Sequence, residues 1–530
     1  MRTAVIRITK WTALLLVAAI LIFFSARIYL TRSGPPLAVW HTFVPNDMKA
    51  RELDAADWQQ FLIRESKVFD SVKTEVTQKL AAGDRAPLNR YFEGSPVYPP
   101  HFAQDFNRSY VLEPEGRPVG AAVLLHGLTD SPYSQRHVAQ SYRDHGFVAI
   151  VMRMPGHGTV PAGLTDVEWE DWAAATRLAV REARRRIGPE APLHLVGFSN
   201  GGALAVKYAL DAIADPNLTQ ADRIVLISPM IGITRFARFA GLAGLPALLP
   251  AFAEAAWLGI VPEFNPFKYN SFPVNGAVQS YRLTQVIQRE IAQFSRDGLL
   301  SGLPPIITFQ SVMDYTVSTP AIISALYAHL PSNGSELVLF DVNRTVKFGT
   351  LLRPSADTAL AQLLPRTIRN YRTTIVTNAD VANGEEVERT IDAGGLKEQD
   401  RALGFTYPAG LFSLSHVALP FPMTDSLYGL TPESTSFGVN LGALAPRGER
   451  NVLIESLDAL LRASSNPFFP YMKARIEEGI DSSPRTKARV TPTPAAVSVA
   501  SATGWSMDDL ILFFKNFFPD RSDEPEDAPP

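Results

Sequence analysis

The chain contains no cysteine among its 530 residues. This absence excludes disulfide bonds, a thiol nucleophile and thiolate metal ligands, although it does not identify a cellular compartment. The chain also lacks a strong excess of basic or acidic residues, because its formal net charge is −3. We therefore expect no nucleic-acid partner. Hydrophobic residues make up 46% of the chain and charged residues 19%, which predicts that most of it folds.

An uncharged apolar run occupies residues 11–26 and continues through Arg27 to Leu30. As a helix, residues 11–30 would rise about 30 Å, the hydrocarbon thickness of a bilayer. Three basic side chains precede the run and two lie at or after its end, which favours a cytoplasmic N-terminus and an extracytoplasmic body, on the periplasmic side of a bacterial inner membrane. A cleaved signal peptide has the same polarity, but Phe-Ser-Ala at 24–26 is a poor cleavage site. We therefore favour a retained, single-pass anchor.

From about residue 109, short β-rich segments alternate with segments of helical periodicity. Several of the β-rich segments are near-continuous apolar runs, as in parallel strands that are covered on both faces. The alternation predicts a doubly wound, mostly parallel α/β sheet. We expect strands at Ala121–His126, Phe147–Met152, Leu193–Phe198, Ile224–Ser228, Ile306–Gln310 and Glu336–Phe340, and helices at Tyr133–Asp144, Glu168–Arg186 and Gly202–Ala214.

Other segments interrupt or flank this alternation. Residues 48–80 carry apolar side chains at helical spacing and predict one or two amphipathic helices that pack on the body. Residues 231–302 fall between two strands and predict a cap over the carboxyl edge of the sheet. Residues 343–408 predict a second insertion, with extra strands at Thr373–Thr377 and Val387–Ile391. In chain order we expect a cytoplasmic N-terminus (1–10), a transmembrane anchor (11–30), an N-terminal helical extension (31–108), the α/β domain with both insertions (109–430), a C-terminal extension (431–480), and a linker with an amphipathic aromatic segment at 505–518 and an acidic tail (481–530).

The strongest motif is Gly-Phe-Ser-Asn-Gly at 197–201, with Ser199 at its centre. It follows the predicted strand Leu193–Phe198 and precedes a predicted helix. A sharp strand-to-helix turn lifts a serine clear of the sheet, and glycines relieve the crowding that the turn creates. The motif is common by chance, and its position between strand and helix is what predicts a nucleophile.

A second motif, Leu-Leu-His-Gly-Leu at 124–128, ends an earlier strand. Acyl transfer builds up an oxyanion, and backbone N–H donors must already point at it. One donor is the residue after the nucleophile, Asn200, and the other comes from the turn after an earlier strand, Leu128. His126 precedes the serine, so we interpret it as a structural residue that braces this turn.

The order of triad residues in such sheets is serine, acid, histidine. Only two of the nine histidines follow Ser199, namely His329 and His416. His329 lies in a helical run at 320–330, which favours a structural role. His416 lies in a loop-like stretch, and we predict that it is the general base.

Several carboxylates are available as the acid. Asp314 follows the predicted strand Ile306–Gln310 and precedes a helix, which places it at the carboxyl edge of the sheet. Asp341 follows the next strand and is the alternative. We predict Asp314.

Together these motifs resemble the bacterial carboxylesterases and monoacylglycerol lipases of the α/β-hydrolase superfamily. The resemblance covers about residues 109–345 and a short piece around His416. It rests on His126-Gly127-Leu128, Met154-Pro155-Gly156-His157-Gly158, Gly197-Phe198-Ser199-Asn200-Gly201 and Ser311-Val312-Met313-Asp314-Tyr315-Thr316-Val317.

The resemblance implies a triad of Ser199, Asp314 and His416 and an oxyanion hole at Leu128 and Asn200. It also implies that the Gly-His-Gly segment walls the site, with His157 structural or substrate-facing. The chain departs from the family between acid and histidine, which the family joins by one short strand. Here about a hundred residues intervene.

These features predict a membrane-anchored serine esterase or lipase whose substrate is a small-molecule or lipid acyl ester, with no cofactor and no metal. The same triad serves thioesterases, amidases and peptidases, and a catalytically inactive binding domain is a further alternative. Residues 239–261 are apolar enough for a second membrane span, but one crossing there would separate Ser199 from Asp314. We predict instead that they line an acyl-binding cleft or pack in the core.

Overall fold

The structure is a computed structural model that describes residues 2–232, 244–248, 250–349, 352–364, 367–382, 384–434, 436–443 and 462–483. The predicted linker, the aromatic segment at 505–518 and the acidic tail lie outside the described residues, apart from 481–483. Part of the apolar segment at 239–261 also lies outside them.

Twelve strands form in the described part of the chain, and ten of them belong to one sheet. They are β1 (Tyr110–Leu112), β2 (Gly120–Leu125), β3 (Phe147–Met152), β4 (Leu193–Phe198), β5 (Arg223–Ile227), β6 (Trp257–Gly259), β7 (Phe272–Pro273), β8 (Ile306–Ser311), β9 (Glu336–Phe340), β10 (Arg372–Asn378), β11 (Glu385–Ile391) and β12 (Glu398–Thr406).

The helices of the described residues alternate with these strands or flank them. They are α1 (Arg2–Arg32), α2 (Val39–Thr42), α3 (Ala50–Ala55), α4 (Trp58–Glu75), α5 (Arg136–Asp144), α6 (Trp169–Ile187), α7 (Asn200–Ala214), α8 (Val274–Arg296), α9 (Thr319–Ala321), α10 (Val346–Gly349), α11 (Pro354–Asp357), α12 (Ala359–Leu363) and α13 (Phe469–Asp481).

The large sheet runs in the order β1-β3-β2-β4-β5-β8-β9-β10-β11-β12. Strands from β3 to β10 pair in parallel, and β1, β11 and β12 add antiparallel edges. Chain order reverses about β2, as in a doubly wound sheet, so the predicted fold class is confirmed. The carboxyl ends of β2, β4, β5 and β8 therefore meet at one edge.

Helices cover both faces of this sheet. Along β2, Val123 and Leu125 pack into a core with α6, α7 and α8, whereas Ala122 and Leu124 pack into a second core with α5 and α13. Every residue of β2, β3, β4 and β8 is buried. This explains why those strands are near-continuous apolar runs and not alternating ones.

The N-terminal extension is tied to the sheet by a buried ion network. Arg153, just after β3, donates to Asp47 at 2.6 Å and to Glu65 in α4 at 2.9 Å. Asp47 also accepts from the backbone N–H of Gly156 at 2.9 Å. A buried cation is retained only when anions and hydrogen bonds surround it. Residues 47–65 therefore fix the loop that follows β3.

The insertion at 231–302 contributes the two-stranded β6–β7 ribbon and α8. We call its described residues 244–248 and 250–302 the cap. The second insertion, residues 343–408, contributes α10 to α12 and then β10, β11 and β12, which extend the main sheet. The sequence pattern predicted β10 and β11 but not β12.

The apolar N-terminal segment forms one helix, α1. Its Thr9–Ala26 stretch is long and apolar enough to cross a bilayer, with a mean hydropathy of 1.9 and none of it buried against the body. A signal sequence near the N-terminus has the same properties.

Candidate active site

The turn from β4 into α7 holds Ser199 in a strained conformation, with φ 54° and ψ −115°. Such values are costly for a residue with a Cβ and persist only where the surrounding structure enforces them. A Cβ on Gly201 would lie 2.1 Å from the carbonyl oxygen of Leu125, and one on Gly197 would lie 2.3 Å from that of Gly201. The two glycines thus permit β4, α7 and β2 to approach closely enough to form the turn.

Three side chains join in one hydrogen-bonded relay. Ser199 Oγ lies 3.0 Å from His416 Nε2, and His416 Nδ1 lies 2.8 Å from Asp314 Oδ2. Because a carboxylate only accepts, Nδ1 carries the proton, and Nε2 is left to accept the serine hydroxyl. Ser199 and His416 are each 4% exposed. The arrangement can remove a proton from the hydroxyl as its oxygen attacks an electrophile.

Asp314 is surrounded by donors. Its Oδ1 accepts from the backbone N–H groups of Thr316 at 2.7 Å and Val317 at 3.0 Å. Its Oδ2 accepts from Gln310 Nε2 at 3.2 Å in addition to His416. Burial by itself would raise the pKa of this carboxyl, but the His416 charge and these hydrogen bonds outweigh it and hold the pKa below its usual value. Asp314 is therefore an anion that orients the imidazole.

The loop before His416 is fastened to the ends of β8 and β9. Ser311 Oγ donates to the carbonyl oxygen of Leu414 at 2.9 Å. The backbone N–H of Asn343 donates to Phe412 at 2.9 Å, and its side-chain amide donates to Leu411 at 2.8 Å. The long insertion thus begins at Asn343, and the chain after it returns beside Asn343. This closure explains how His416, about a hundred residues after Asp314 in the chain, reaches the Asp314 carboxylate.

The predicted oxyanion donors lie in the two turns that meet at Ser199. Neither the backbone N–H of Leu128 nor that of Asn200 donates to an acceptor within the described ranges. A Cβ on Gly127 would lie 3.2 Å from the Cβ of Ser199, so the turn after β2 passes directly beside the serine. Free backbone donors beside a nucleophile suit the stabilisation of a developing oxyanion.

His126 and His157 brace the neighbouring loops. His126 Nδ1 donates to the Gly127 carbonyl at 2.9 Å, and its Nε2 accepts from the backbone N–H of Met154 at 3.1 Å. Burial, with a contribution from His157, holds the pKa of His126 well below its usual value. His157 Nδ1 donates to Pro155 at 3.0 Å, and burial lowers the pKa of His157 to about 4. Both rings are neutral and fully buried.

The two alternatives weighed from the sequence stand outside the relay. His329 Nδ1 lies 3.2 Å from Ser295 Oγ of α8. Asp341 pairs with Arg344 at 2.6 Å and accepts from Thr377 Oγ1 at 2.9 Å. Within the described residues no group of three or more His, Asp or Glu side chains is arranged to hold a metal ion.

Sequence reasoning missed the supporting residues. Gln310 braces Asp314, Ser280 Oγ of α8 lies 3.4 Å from Asn200 Oδ1, and Tyr269 of the cap donates its backbone N–H to Thr129 at 2.7 Å. Gln310 was detectable as a long polar side chain near the end of a buried strand. The other two carry no pattern, since their roles arise only when the cap folds over the sheet.

Comparison with known proteins adds to this geometry. The sequence model of the alpha/beta hydrolase family matches residues 122–388, which is 267 of the 530 residues. A thermostable monoacylglycerol lipase of Bacillus sp. (strain H-257) is 24% identical over 225 residues, covering 42% of this chain and 81% of the lipase.

Solved structures match a similar part of the chain. One, from a study of two metagenome-derived lipolytic enzymes, is 20% identical with a TM-score of 0.35, covering 49% of this chain and 97% of its own. A soluble variant of monoglyceride lipase from Saccharomyces cerevisiae is 13% identical with a TM-score of 0.35, covering 44% and 81%. At TM-scores this low, these structures carry no argument, and the assignment to a family depends on the match of the family's sequence model.

Proposed function

The chain belongs to the alpha/beta hydrolase family, and on that premise we propose that it is a membrane-anchored serine hydrolase that cleaves carboxylic esters. In this proposal Ser199 is the nucleophile, His416 the general base and Asp314 the acid that orients it. The observation that carries the proposal is the continuous relay of 3.0 Å and 2.8 Å through the imidazole.

The chemistry follows from the protonation states in the relay. As Ser199 Oγ attacks the ester carbonyl, its proton passes to His416 Nε2, and the imidazolium that forms is stabilised by ionised Asp314. The C–O bond to the alcohol then breaks, and His416 returns the proton to the leaving oxygen. Water attacks the acyl-enzyme by the same route, which releases the acid and restores the serine.

The oxyanion of each tetrahedral intermediate would lie beside the backbone N–H groups of Leu128 and Asn200. Such donors act without reorganisation because the backbone already holds them, and removal of one donor in serine hydrolases typically costs about 10²- to 10³-fold in rate. No cofactor enters this sequence of steps.

Ester substrates are supported by the relatives. The Bacillus sp. relative is a monoacylglycerol lipase, and it is 24% identical to this chain over 225 residues. We therefore propose the class of carboxylic acyl esters and leave the acyl length to the assay. A panel of p-nitrophenyl esters of increasing chain length measures both whether esters are hydrolysed and which acyl length is preferred.

The test compares four variants of the purified full chain. Ser199→Ala and His416→Ala should each reduce kcat/KM by about 10⁴- to 10⁶-fold, and the double variant should lose little more, because triad members act as a unit. His329→Ala is the matched control and should keep wild-type activity. Loss of activity in His329→Ala with retention in His416→Ala would overturn the assignment of the base.

We also propose that α1 is retained as a membrane anchor, with the body on the extracytoplasmic side. The apolar Thr9–Ala26 stretch and the basic residues that precede it support this. A reporter that matures only outside the cytoplasm, fused after Pro530, should be active in the membrane fraction. Activity of a cytoplasm-only reporter at the same position would reverse the orientation, and a soluble processed product would indicate cleavage.

A further inference from the structure

The turn that carries Leu128, residues 127–130, is strained, and we call it the oxyanion turn. Thr129 has φ 61°, a left-handed conformation that is costly for a β-branched residue. Within the turn itself, the backbone N–H of Asp130 lies 3.4 Å from the Gly127 carbonyl oxygen, which is a long hydrogen bond. A strained backbone persists only where its surroundings enforce it. Contacts from outside the turn must therefore fix this conformation.

One such contact comes from Tyr269 of the cap. The carbonyl oxygen of Thr129 accepts the backbone N–H of Tyr269 at 2.7 Å. The Tyr269 hydroxyl donates to the Gly156 carbonyl at 3.0 Å and accepts from the backbone N–H of Thr159 at 2.8 Å. The backbone and the side chain of this one buried residue therefore tie the oxyanion turn to the loop that follows β3.

The N-terminal extension holds Tyr269 in place through Arg90. Tyr269 lies in residues 260–271, which join β6 to β7 and which we call the cap loop. The buried guanidinium of Arg90 donates to the carbonyls of Asn265 at 3.2 Å and Lys268 at 3.4 Å in this loop. The position of Tyr269 is thus fixed by a side chain that is distant in the chain.

Two further sets of contacts stiffen this junction. The buried carboxylate of Glu263 accepts the backbone N–H groups of Asn270 at 3.0 Å and Ser271 at 2.7 Å, which closes the cap loop on itself. The guanidinium of Arg90 also donates to the Gly158 carbonyl at 3.4 Å, in the loop that Tyr269 binds. The family's sequence model begins at residue 122, so part of this support comes from a segment that the model does not include.

We propose that Tyr269 and Arg90 are positioning residues, which hold Thr129 in its left-handed conformation and thereby keep the backbone N–H of Leu128 in place for the oxyanion. This inference rests on the proposed function and extends it to the N-terminal extension. A donor stabilises a developing oxyanion most when it is already in position, because no reorganisation is then required during the reaction. The extension thus contributes to stabilisation of the transition state without touching the substrate.

The experiment uses variants of the purified full chain, the p-nitrophenyl ester that wild type hydrolyses fastest, and a trifluoromethyl ketone of the same acyl length. The ketone forms a tetrahedral adduct with an activated serine and so resembles the transition state. Tyr269→Phe removes the hydroxyl and keeps the buried ring. Arg90→Lys keeps the charge but replaces the planar five-donor fork by a single ammonium. Tyr208→Phe is the matched control, since Tyr208 and Tyr269 are both 3% exposed and the Tyr208 hydroxyl donates to the Thr219 carbonyl at 2.9 Å.

We expect Tyr269→Phe and Arg90→Lys each to lower kcat about tenfold, a fraction of the 10²- to 10³-fold lost when an oxyanion donor is removed. KM should stay nearly unchanged, because the oxyanion forms only after the ester is bound. The inhibition constant of the ketone should rise by the same factor as kcat falls. Tyr208→Phe should match wild type in all three constants.

A purely structural role predicts a different result. It would lower the melting temperatures of Tyr269→Phe and Arg90→Lys but leave kcat and the ketone affinity at wild-type values when both are measured well below those temperatures. That result would overturn the inference, as would an equal loss of kcat in Tyr208→Phe. A wild-type chain that hydrolyses no ester of the panel would overturn the proposed function, and this inference with it.

A double variant tests the strain at Thr129 directly. Thr129→Gly added to Tyr269→Phe should recover kcat several-fold, because glycine adopts a positive φ without steric cost and needs less support from the cap loop. A double variant that is no faster than Tyr269→Phe would overturn the role given to Thr129.

Discussion

Replacement of Asp314 by asparagine tests the relay with a change of one atom. Oδ1 of Asp314 is held by the backbone N–H groups of Thr316 and Val317. An asparagine at this position must keep its oxygen there, so its NH₂ group takes the place of Oδ2, facing His416 Nδ1 and Gln310 Nε2. Two donors then oppose each other. His416 can resolve this only by moving its proton to Nε2, where it no longer accepts from Ser199.

The magnitude follows from that tautomer. In the serine-protease template the same exchange lowers kcat by about 10⁴-fold, which corresponds to about 5.4 kcal/mol of transition-state stabilisation. We expect a loss of this order in kcat for ester hydrolysis by Asp314→Asn, with KM nearly unchanged, since the variant alters proton transfer and not binding. Thermal unfolding should show that the variant remains folded.

Asp341→Asn is the matched control. Asp341 is equally buried and follows the neighbouring strand, but its partners are Arg344 and Thr377. Asp341→Asn should lower stability, because the half-buried guanidinium of Arg344 loses its counter-ion, and it should leave kcat of the folded protein close to wild type. An Asp314→Asn variant with more than about a tenth of wild-type kcat, or a larger loss in Asp341→Asn, would refute the relay as described.

Two other predictions concern the folded state. Gly201→Ala should abolish activity and lower the melting temperature, because its Cβ would lie 2.1 Å from the Leu125 carbonyl, whereas Gly83→Ala, with nothing within 4 Å, should be silent in both assays. Burial, with the nearby Asp341 charge, raises the pKa of Glu386 to about 8, so the folded state keeps a proton that the unfolded state releases above about pH 4.5. Stability therefore falls from pH 4.5 to 8, and Glu386→Gln should raise the free energy of unfolding by up to about 4 kcal/mol at pH 8; a gain measured by urea denaturation that is equal at pH 5 and pH 8 would contradict this.

The buried strands were predictable because a strand that is buried on both faces is a nearly continuous run of apolar residues. β3, β4 and β9 have the predicted bounds, β2 and β5 each begin and end one residue earlier than predicted, and β8 ends one residue later. β12 was not predictable, since Glu398–Thr406 is mostly exposed, carries no apolar alternation in its first half, and becomes a strand through pairing with β11. The helical run at 320–330 breaks into α9, a π-helical segment and a 3₁₀ turn.

The candidate site was also predictable only in part. Chain order and strand ends select Ser199, Asp314 and His416, because the topology of parallel sheets constrains where such side chains can meet. The contacts that close the long insertion at Asn343 and that brace Asp314 through Gln310 leave no such pattern. They depend on tertiary contacts between segments that are distant in the chain, which local periodicity does not report.

The most direct test of the central claim is the site at which a fluorophosphonate probe attaches. The probe forms a covalent bond only with a serine that a neighbouring base activates. Mass spectrometry of the labelled full chain should find one adduct, on Ser199, and labelling should disappear in Ser199→Ala and fall strongly in His416→Ala. Labelling of Ser199→Ala at the wild-type rate, or an adduct on any other serine, would contradict the account.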